Sequence, residues 1–221
     1  MIDYEGYVFA DRAEAGTRLG AVIGDRLGPE EDAVILGLPR GGVVVAREVA
    51  RLTRRPLDFV VVRKIGAPEN EEVAIGAVGE DGEPVLDKAT IERYGISPMY
   101  VSMATARVRA EVQRRVEAYR QGPRPSLQGK TAVLVDDGIA TGYTVEAAVE
   151  TVRRWGAARV VVAVPVAPPE AVARLRPYAD DVIALHMPRF FMAVGQFYAD
   201  FQQVTDDEVK AILTRAATLA A

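Results

Sequence analysis

Val133-Leu134-Val135-Asp136-Asp137-Gly138-Ile139-Ala140-Thr141-Gly142-Tyr143-Thr144 is the stretch on which the reading of this chain turns. An aliphatic run, Thr131–Val135, reads as a buried strand that runs straight into two acids. A short loop with Thr141 and Gly142 follows, and a helix then opens over Thr144–Trp155. Loop amides ahead of a helix N-terminus point at whatever sits over it, which suits a phosphate. Thr141 and Thr144 add hydroxyl donors, and Gly142 permits close backbone approach. Carboxylates beside an anion site fit a ligand that carries both a phosphate and neutral hydroxyls, because ionised Asp accepts from a sugar diol while the amides hold the phosphate. A phosphorylated ribose has this make-up.

Working outward, Ala33–Leu38, Leu57–Val62 and Arg159–Val164 are further short β-branched runs bounded by turn residues. Helical patterns lie between them. Asp11–Leu27 places Leu19, Val22, Ile23 and Leu27 at helical spacing. Val43–Leu52 is short and apolar, and Pro98–Arg120 is long, with Ser97 as cap and Pro98 at the first helical position. This alternation predicts an α/β fold with a doubly wound parallel sheet and ligands at the carboxyl ends of its strands. After Pro165, Pro168 and Pro169 the pattern breaks. A short strand, Val182–Ala184, is expected, then an irregular aromatic stretch with Phe190, Phe191, Phe197, Tyr198 and Phe201. A last helix starts at Thr205, where Thr205 and Glu208 have capping-box spacing. Tyr4, Tyr7 and Phe9 make the other end aromatic too. The two ends are expected to fold together as a small lobe: a single domain with its core over about residues 30–165, a lobe from about 1–10 and 166–204, and a terminal helix over about 205–219.

Composition narrows the chemistry. The chain has 221 residues, 49% of them hydrophobic and only 7% aromatic, so the core is aliphatic, as parallel sheets covered by helices require. The formal net charge is −4 and the pI about 5.3, which argues against nucleic acid as a partner. There is no cysteine and a single histidine, His186, which removes thiolate nucleophiles and Cys-based metal sites. What remains is carboxylates, cations, hydroxyls, backbone amides and Mg²⁺. Met1–Gly6 shows no signal sequence and Val160–Val164, the longest apolar run, is far short of a membrane span, so a cytoplasmic protein without membrane contact is expected.

Two more stretches bear on anions. Gly37-Leu38-Pro39-Arg40-Gly41-Gly42 also follows a strand and opens a helix, with glycine amides exposed and Arg40 offering a fork of donors. Val61-Val62-Arg63-Lys64 puts two cations where a parallel strand ends, which points to an anion. Gly129-Lys130-Thr131 is no Walker loop, since it lacks the earlier glycine and precedes a strand. Most of the cations are Arg. Arg107, Arg109, Arg114 and Arg115 on the long helix, with Glu111 among them, read as an exposed face or a contact between copies in a homo-oligomer.

The segment 133–144 resembles the phosphoribosyl diphosphate (PRPP) binding motif of the type I phosphoribosyltransferases: an aliphatic triplet, two acids, a short loop, then Thr-Gly-x-Thr. Its form here is closest to the adenine-type enzymes, with Gly138 where an aliphatic residue is usual. The resemblance covers roughly Ala33 to Val164 by motif order. It implies that Gly138, Ile139, Ala140, Thr141, Gly142 and Thr144 hold the 5′-phosphate, and that Asp136 and Asp137 hold the ribose diol and orient Mg²⁺. It implies further that Pro39, Arg40, Gly41, Arg63 and Lys64 face the diphosphate. Asp136, Asp137, Arg40 and Lys64 are then the catalytic set. The stretch from Gly66 to Gly82, with a small hairpin through Val73–Val78, occupies the place of the family's mobile loop.

The same resemblance makes the terminal lobe a hood that selects the acceptor. Phe190, Phe191, Tyr198 and Phe201 become candidates for stacking on a flat base, and His186 lies just before them. Hypoxanthine-type members carry an Asp at the place of Ala140, so this chain supplies no acid–base group there. The expected reaction is attack of an acceptor nitrogen on C1 of PRPP with loss of diphosphate. Alternatives are a non-catalytic PRPP-binding regulator, a receiver-like Mg²⁺ signalling domain and a hydrolase acting on PRPP or a nucleotide.

Overall fold

A computed structural model describes residues 8–71 and 73–220. Tyr4 and Tyr7 fall outside that range. The elements in chain order are α1 (Arg12–Arg26), β1 (Ala33–Gly37), α2 (Gly41–Thr53), β2 (Leu57–Phe59), β3 (Arg63–Gly66), β4 (Ala74–Val78), β5 (Pro84–Leu86), α3 (Lys88–Arg93), α4 (Pro98–Tyr119), β6 (Thr131–Val135), α5 (Tyr143–Arg154), β7 (Arg159–Val166), α6 (Pro169–Leu175), β8 (Asp181–His186), a 3₁₀ turn over Val194–Phe197, and α7 (Asp206–Ala220).

Five strands form a parallel sheet in the order β2-β1-β6-β7-β8. The chain winds outward from β1 to β2, then returns to the other side of β1 to lay down β6. The strand order therefore reverses between β1 and β6, and their carboxyl ends form the crevice where doubly wound sheets bind ligands. Strand alternation explains the two layers. Ala33, Ile35, Val133 and Val135 point to one face, where they meet Leu19 and Ile23 of α1 and Val45 and Val49 of α2. Val34, Leu36, Ala132 and Leu134 point to the other, against Val145, Val149 and Val152 of α5 and Leu175 of α6. Both faces are covered, which is why these strands read as continuous apolar runs.

The apolar run 57–62 is not one strand. β2 stops at Phe59, and Val60–Val62 carry the chain out of the parallel sheet into a separate antiparallel one, β3-β4-β5. The Val61 amide bonds the Glu80 carboxylate at 2.9 Å in place of a neighbouring strand. This sheet buries Ile65, Ile75 and Val78 with Phe59 against Val108 and Val112 of α4 and Val209 of α7. The expected hairpin is thus the middle of a three-stranded sheet.

The sheet's layers also run on past residue 165. β6 ends at Val135, opposite Ala163, so Pro165 removes no bond to β6. Pro169 stands at the start of α6, where its missing N–H costs nothing. α6 and β8 therefore belong to the core, and the stretch outside it begins only after His186. There the chain ends meet. Phe9 pairs with Tyr198 in an isolated parallel bridge, the Val8 and Phe9 amides both donate to the Phe197 carbonyl at 3.0 Å, and Phe9, Phe197 and Tyr198 close a small cluster on Val166. Thr205 and Glu208 cap α7 reciprocally, at 2.7 and 3.2 Å. Among the described residues no helix is long and apolar enough to cross a membrane.

Candidate functional site

Both loops singled out in the sequence emerge at the strand-order reversal. β6 delivers Asp136 and Asp137, and the chain turns through Gly142, whose φ of +87° favours glycine, into the twelve-residue helix α5. Its loop borders a cavity of about 570 Å³ lined by Asp136, Gly138–Val145 and, across from them, Lys64, Val73, Ala74, Thr90, Arg93 and Tyr94. Among the described residues the amides of Gly138, Ala140, Thr141 and Gly142 have no intramolecular acceptor. They and the helix N-terminus suit an anion. Ile139 differs from its neighbours. Its side chain is buried and its amide donates to the Val166 carbonyl at 2.9 Å, so it anchors the loop and has no amide left for a phosphate.

The loop after β1 lies against the acid loop. The Leu38 amide donates to the Val135 carbonyl at 2.8 Å, and the peptide between Pro39 and Arg40 is cis. A Cβ on Gly41 would run into the Asp137 carboxylate. One on Gly42 would lie 2.7 Å from the Val135 carbonyl oxygen and 2.8 Å from the Asp136 Cα. Two glycines in a row thus let the loops touch, which the sequence showed only as an anion loop.

The two acids face different surroundings. Asp136 lines the cavity, and its Oδ1 accepts the Asp137 amide at 2.8 Å. Burial, and the Asp137 charge beside it, push its carboxyl well above the usual range. Asp137 turns the other way, where Arg12 Nε donates to its Oδ2 at 2.7 Å. Burial raises its carboxyl too, against the pull of the Arg12 guanidinium. Arg12 also donates to the Gln202 carbonyl at 2.8 Å and lies 3.8 Å over the Phe201 ring, while the Tyr198 hydroxyl donates to the Asp137 carbonyl at 2.6 Å. The meeting chain ends are therefore tied to the acid loop. Nothing local marks Arg12, which is 125 residues from Asp137 in the chain. Arg93 and the helix α3 that carries it also went unread.

Strand alternation separates the two cations expected at the diphosphate. Lys64 faces the cavity, whereas Arg63 lies on the opposite face of β3, toward Arg115, Glu111 and Arg114 of α4. Arg40, at the start of α2, is 3.9 Å from Asp206. Among the described acids of the 66–82 stretch, Glu71 pairs with Arg107, Glu80 is buried on Arg120 and Asp81 pairs with Arg154.

The expected acceptor residues split. Phe190 is 82% exposed, whereas Phe191 packs on Phe197 with ring centroids 5.5 Å apart. Tyr198 is buried between Phe9 and Phe201, at 5.4 and 5.0 Å, which leaves no ring face for a base. His186 packs edge-on against Phe197. Val194 lies where a Cβ on Gly138 would meet its Cγ1 at 2.5 Å, so the glycine that departs from the usual pattern makes room for the segment after His186.

An open parallel sheet with a glycine–threonine loop, adjoining acids and a glycine–arginine loop at its strand-order reversal defines a protein of the doubly wound α/β class. The chain belongs to the phosphoribosyl transferase domain family, whose description matches residues 13–202. Its fold is a five-stranded parallel sheet with helices on both faces. It is 46% identical over 210 residues to a Mycobacterium tuberculosis (strain H37Rv) protein named "Putative phosphoribosyl transferase Rv0571c". That match covers 95% of this chain and 47% of the relative, so the chain spans about half the length of the curated relatives it matches. It is also 50% identical to TT1426 from Thermus thermophilus, whose crystal structure superposes with a TM-score of 0.81 over 94% of this chain and 98% of that one.

Proposed function

We propose that the protein transfers the 5-phosphoribosyl group of PRPP to a nitrogenous acceptor, a nucleobase by its family, with release of diphosphate. The observation that carries this reading is the contact of the two loops through Gly41 and Gly42, which brings the segment after β1 against Val135, Asp136 and Asp137. The free amides of Gly138, Ala140, Thr141 and Gly142, with the Thr141 and Thr144 hydroxyls, take the 5′-phosphate. Asp136 takes the ribose hydroxyls. Asp137, held by Arg12, supports it through the amide it donates. Arg40, Gly41 and Lys64 take the diphosphate.

No covalent intermediate is needed. The enzyme holds the groups in line and stabilises charge on the leaving oxygens as positive charge grows on the ribose. Among the described residues no group of three or more His, Cys, Asp or Glu gathers to hold a metal. Mg²⁺ uses one or two carboxylates and takes its other ligands from substrate phosphates and water. Asp136 is the carboxylate in place to reach it, with Asp137 behind. A Mg²⁺ held there would supply neutralisation of the charge on the leaving diphosphate. Ala140 offers the acceptor no acid or base.

The test is incubation with Mg-PRPP and a panel of purines, pyrimidines and pyridine carboxylates, reading diphosphate release. Release that depends on one acceptor supports transfer. Asp136→Asn should lower it about tenfold to a hundredfold, the worth of one charged hydrogen bond. Binding of PRPP with no release under any acceptor would mark a regulator, and release without an acceptor a hydrolase.

A further inference from the structure

On the face of β3 away from Lys64 lies a second concentration of positive charge. β3 packs on α4, and α7 packs on α2, α4 and β2. Into that junction come Arg63 from β3, Arg114 and Arg115 from the second half of α4, and Arg40 from the start of α2. Two acids answer these four guanidiniums. Glu111 is already shared: its oxygens accept from Arg114 at 2.8 and 2.9 Å and from Arg115 at 2.9 Å. Asp206 accepts from the Tyr119 hydroxyl at 2.6 Å and lies 3.9 Å from Arg40. Tyr119 adds no charge, because burial and the Asp206 carboxylate push its hydroxyl up to about 12.

Arg63 is left over. It is half-buried and, among the described residues, makes no ion pair or side-chain hydrogen bond. Its strongest like-charged neighbours are Arg115 and Arg114. A guanidinium withdrawn from water beside two others is costly unless an anion completes it. The junction is open to such a group, since the Arg114 side chain is 57% exposed and that of Asp206 39%. Guanidinium forks carried by a strand and a helix that pack on each other suit the oxygens of a phosphoryl group.

We propose that Arg63, Arg114 and Arg115 form a second anion-binding site for a phosphate or diphosphate group, separate from the cavity at Asp136, in which the Asp206 carboxylate is the resident competitor. The site goes beyond the transfer reading, and only the count of two diphosphates in its test rests on the cavity at Asp136 taking one. A phosphoryl ligand enters beside Asp206 and bonds Arg63 and Arg115, leaving Arg40 to the diphosphate loop. The group could be delivered as a free anion or as the phosphates of a nucleotide.

The experiment is calorimetric titration of the full chain with inorganic diphosphate, and in parallel with ADP, at low salt. PRPP affinity is measured on the same proteins. The wild type should bind two diphosphates per chain, and Arg63→Ala and Arg115→Gln one. Asp206→Asn should tighten the second site about tenfold, the worth of about 1.4 kcal/mol of lost competition. Such a gain cannot come from a misfolded variant. Equal affinities for diphosphate and ADP assign the site to the phosphoryl group alone, and tighter ADP binding assigns it to a nucleotide. Unchanged or weaker binding in Asp206→Asn overturns the proposal. So does a PRPP affinity that falls in step with diphosphate affinity in Arg115→Gln, which would make these arginines part of the substrate cavity.

Discussion

Glu80→Gln tests whether the crossing from the parallel sheet into β3, which delivers Lys64 to the cavity, is held by a buried, protonated acid. The Glu80 side chain is 6% exposed, accepts the Val61 amide at 2.9 Å and lies 3.4 Å from Arg120. Arg120 is engaged more closely by Asp58, at 2.9 Å, and rests on the Phe59 ring. Burial pushes the Glu80 carboxyl from 4.5 to about 7, against the pull of the Val61 amide and Arg120. Below 4.5 both folded and unfolded chains hold the proton. Between 4.5 and 7 the unfolded chain releases it while the folded chain keeps it, so stability falls as the pH rises. The full loss is about 3 kcal/mol, at about 1.4 kcal/mol per pH unit. Gln keeps the acceptor for the Val61 amide and carries no charge. Urea unfolding of both proteins at pH 5, 6, 7 and 8 should show the variant ahead by about 1 kcal/mol at pH 5 and by about 3 kcal/mol at pH 8. Reading the difference removes the opposite contribution of acids such as Glu31 and Asp180, whose carboxyls are lowered. A difference that stays flat from pH 5 to 8 would refute the argument, because Glu80 would then be ionised throughout.

Other expectations follow from the contacts around the acids. Arg12→Ala leaves the Asp137 carboxylate unpaired in a partly buried site, and should cost about 3 kcal/mol by chemical denaturation; adding Asp137→Asn should recover part of that loss. Tyr198→Phe removes the hydroxyl from the Asp137 carbonyl and should cost about 1 kcal/mol in the same assay, with little change if that bond is unimportant. Gly138→Val drives new methyl groups into Val194 and Val166, and should cost about 1–3 kcal/mol; a companion Val194→Ala should relieve it. Lys64→Ala should weaken PRPP binding more than ribose-5-phosphate binding, and equal losses would remove Lys64 from the diphosphate.

Local sequence was enough for the layers and for the two loops. Thr131–Val135, Asp136, Asp137 and the Thr141–Gly142 turn are contiguous, and an aliphatic run ending in acids and a glycine has few other ways to fold. The same holds for β1 with Arg40–Gly42, and for the caps at Ser97 and Thr205, where each partner is three residues away. The strand pattern, once β3 is known to begin at Arg63, also dictates that Arg63 and Lys64 diverge. What the sequence did not announce is that β3 starts there at all. Val60–Val62 are as apolar as a strand, and the Glu80 carboxylate that takes the Val61 amide at their crossing between sheets is brought back by the β4–β5 turn.

Contacts between distant segments escape any local reading, because a side chain's partner is chosen by the packing of whole elements. Arg12 meets Asp137 because α1 begins at the edge of the sheet where β6 ends, and Tyr198 is buried because Phe9 and Phe201 cover it from two sides. Arg63 gathers with Arg114 and Arg115 only because β3 lies across α4. The order of residues along the chain determined which chemistry could be assembled, through periodicity and turn geometry that act over a few residues. Tertiary packing decided which groups stand together, since burial and Coulomb interactions depend on distance in space and not on separation along the backbone.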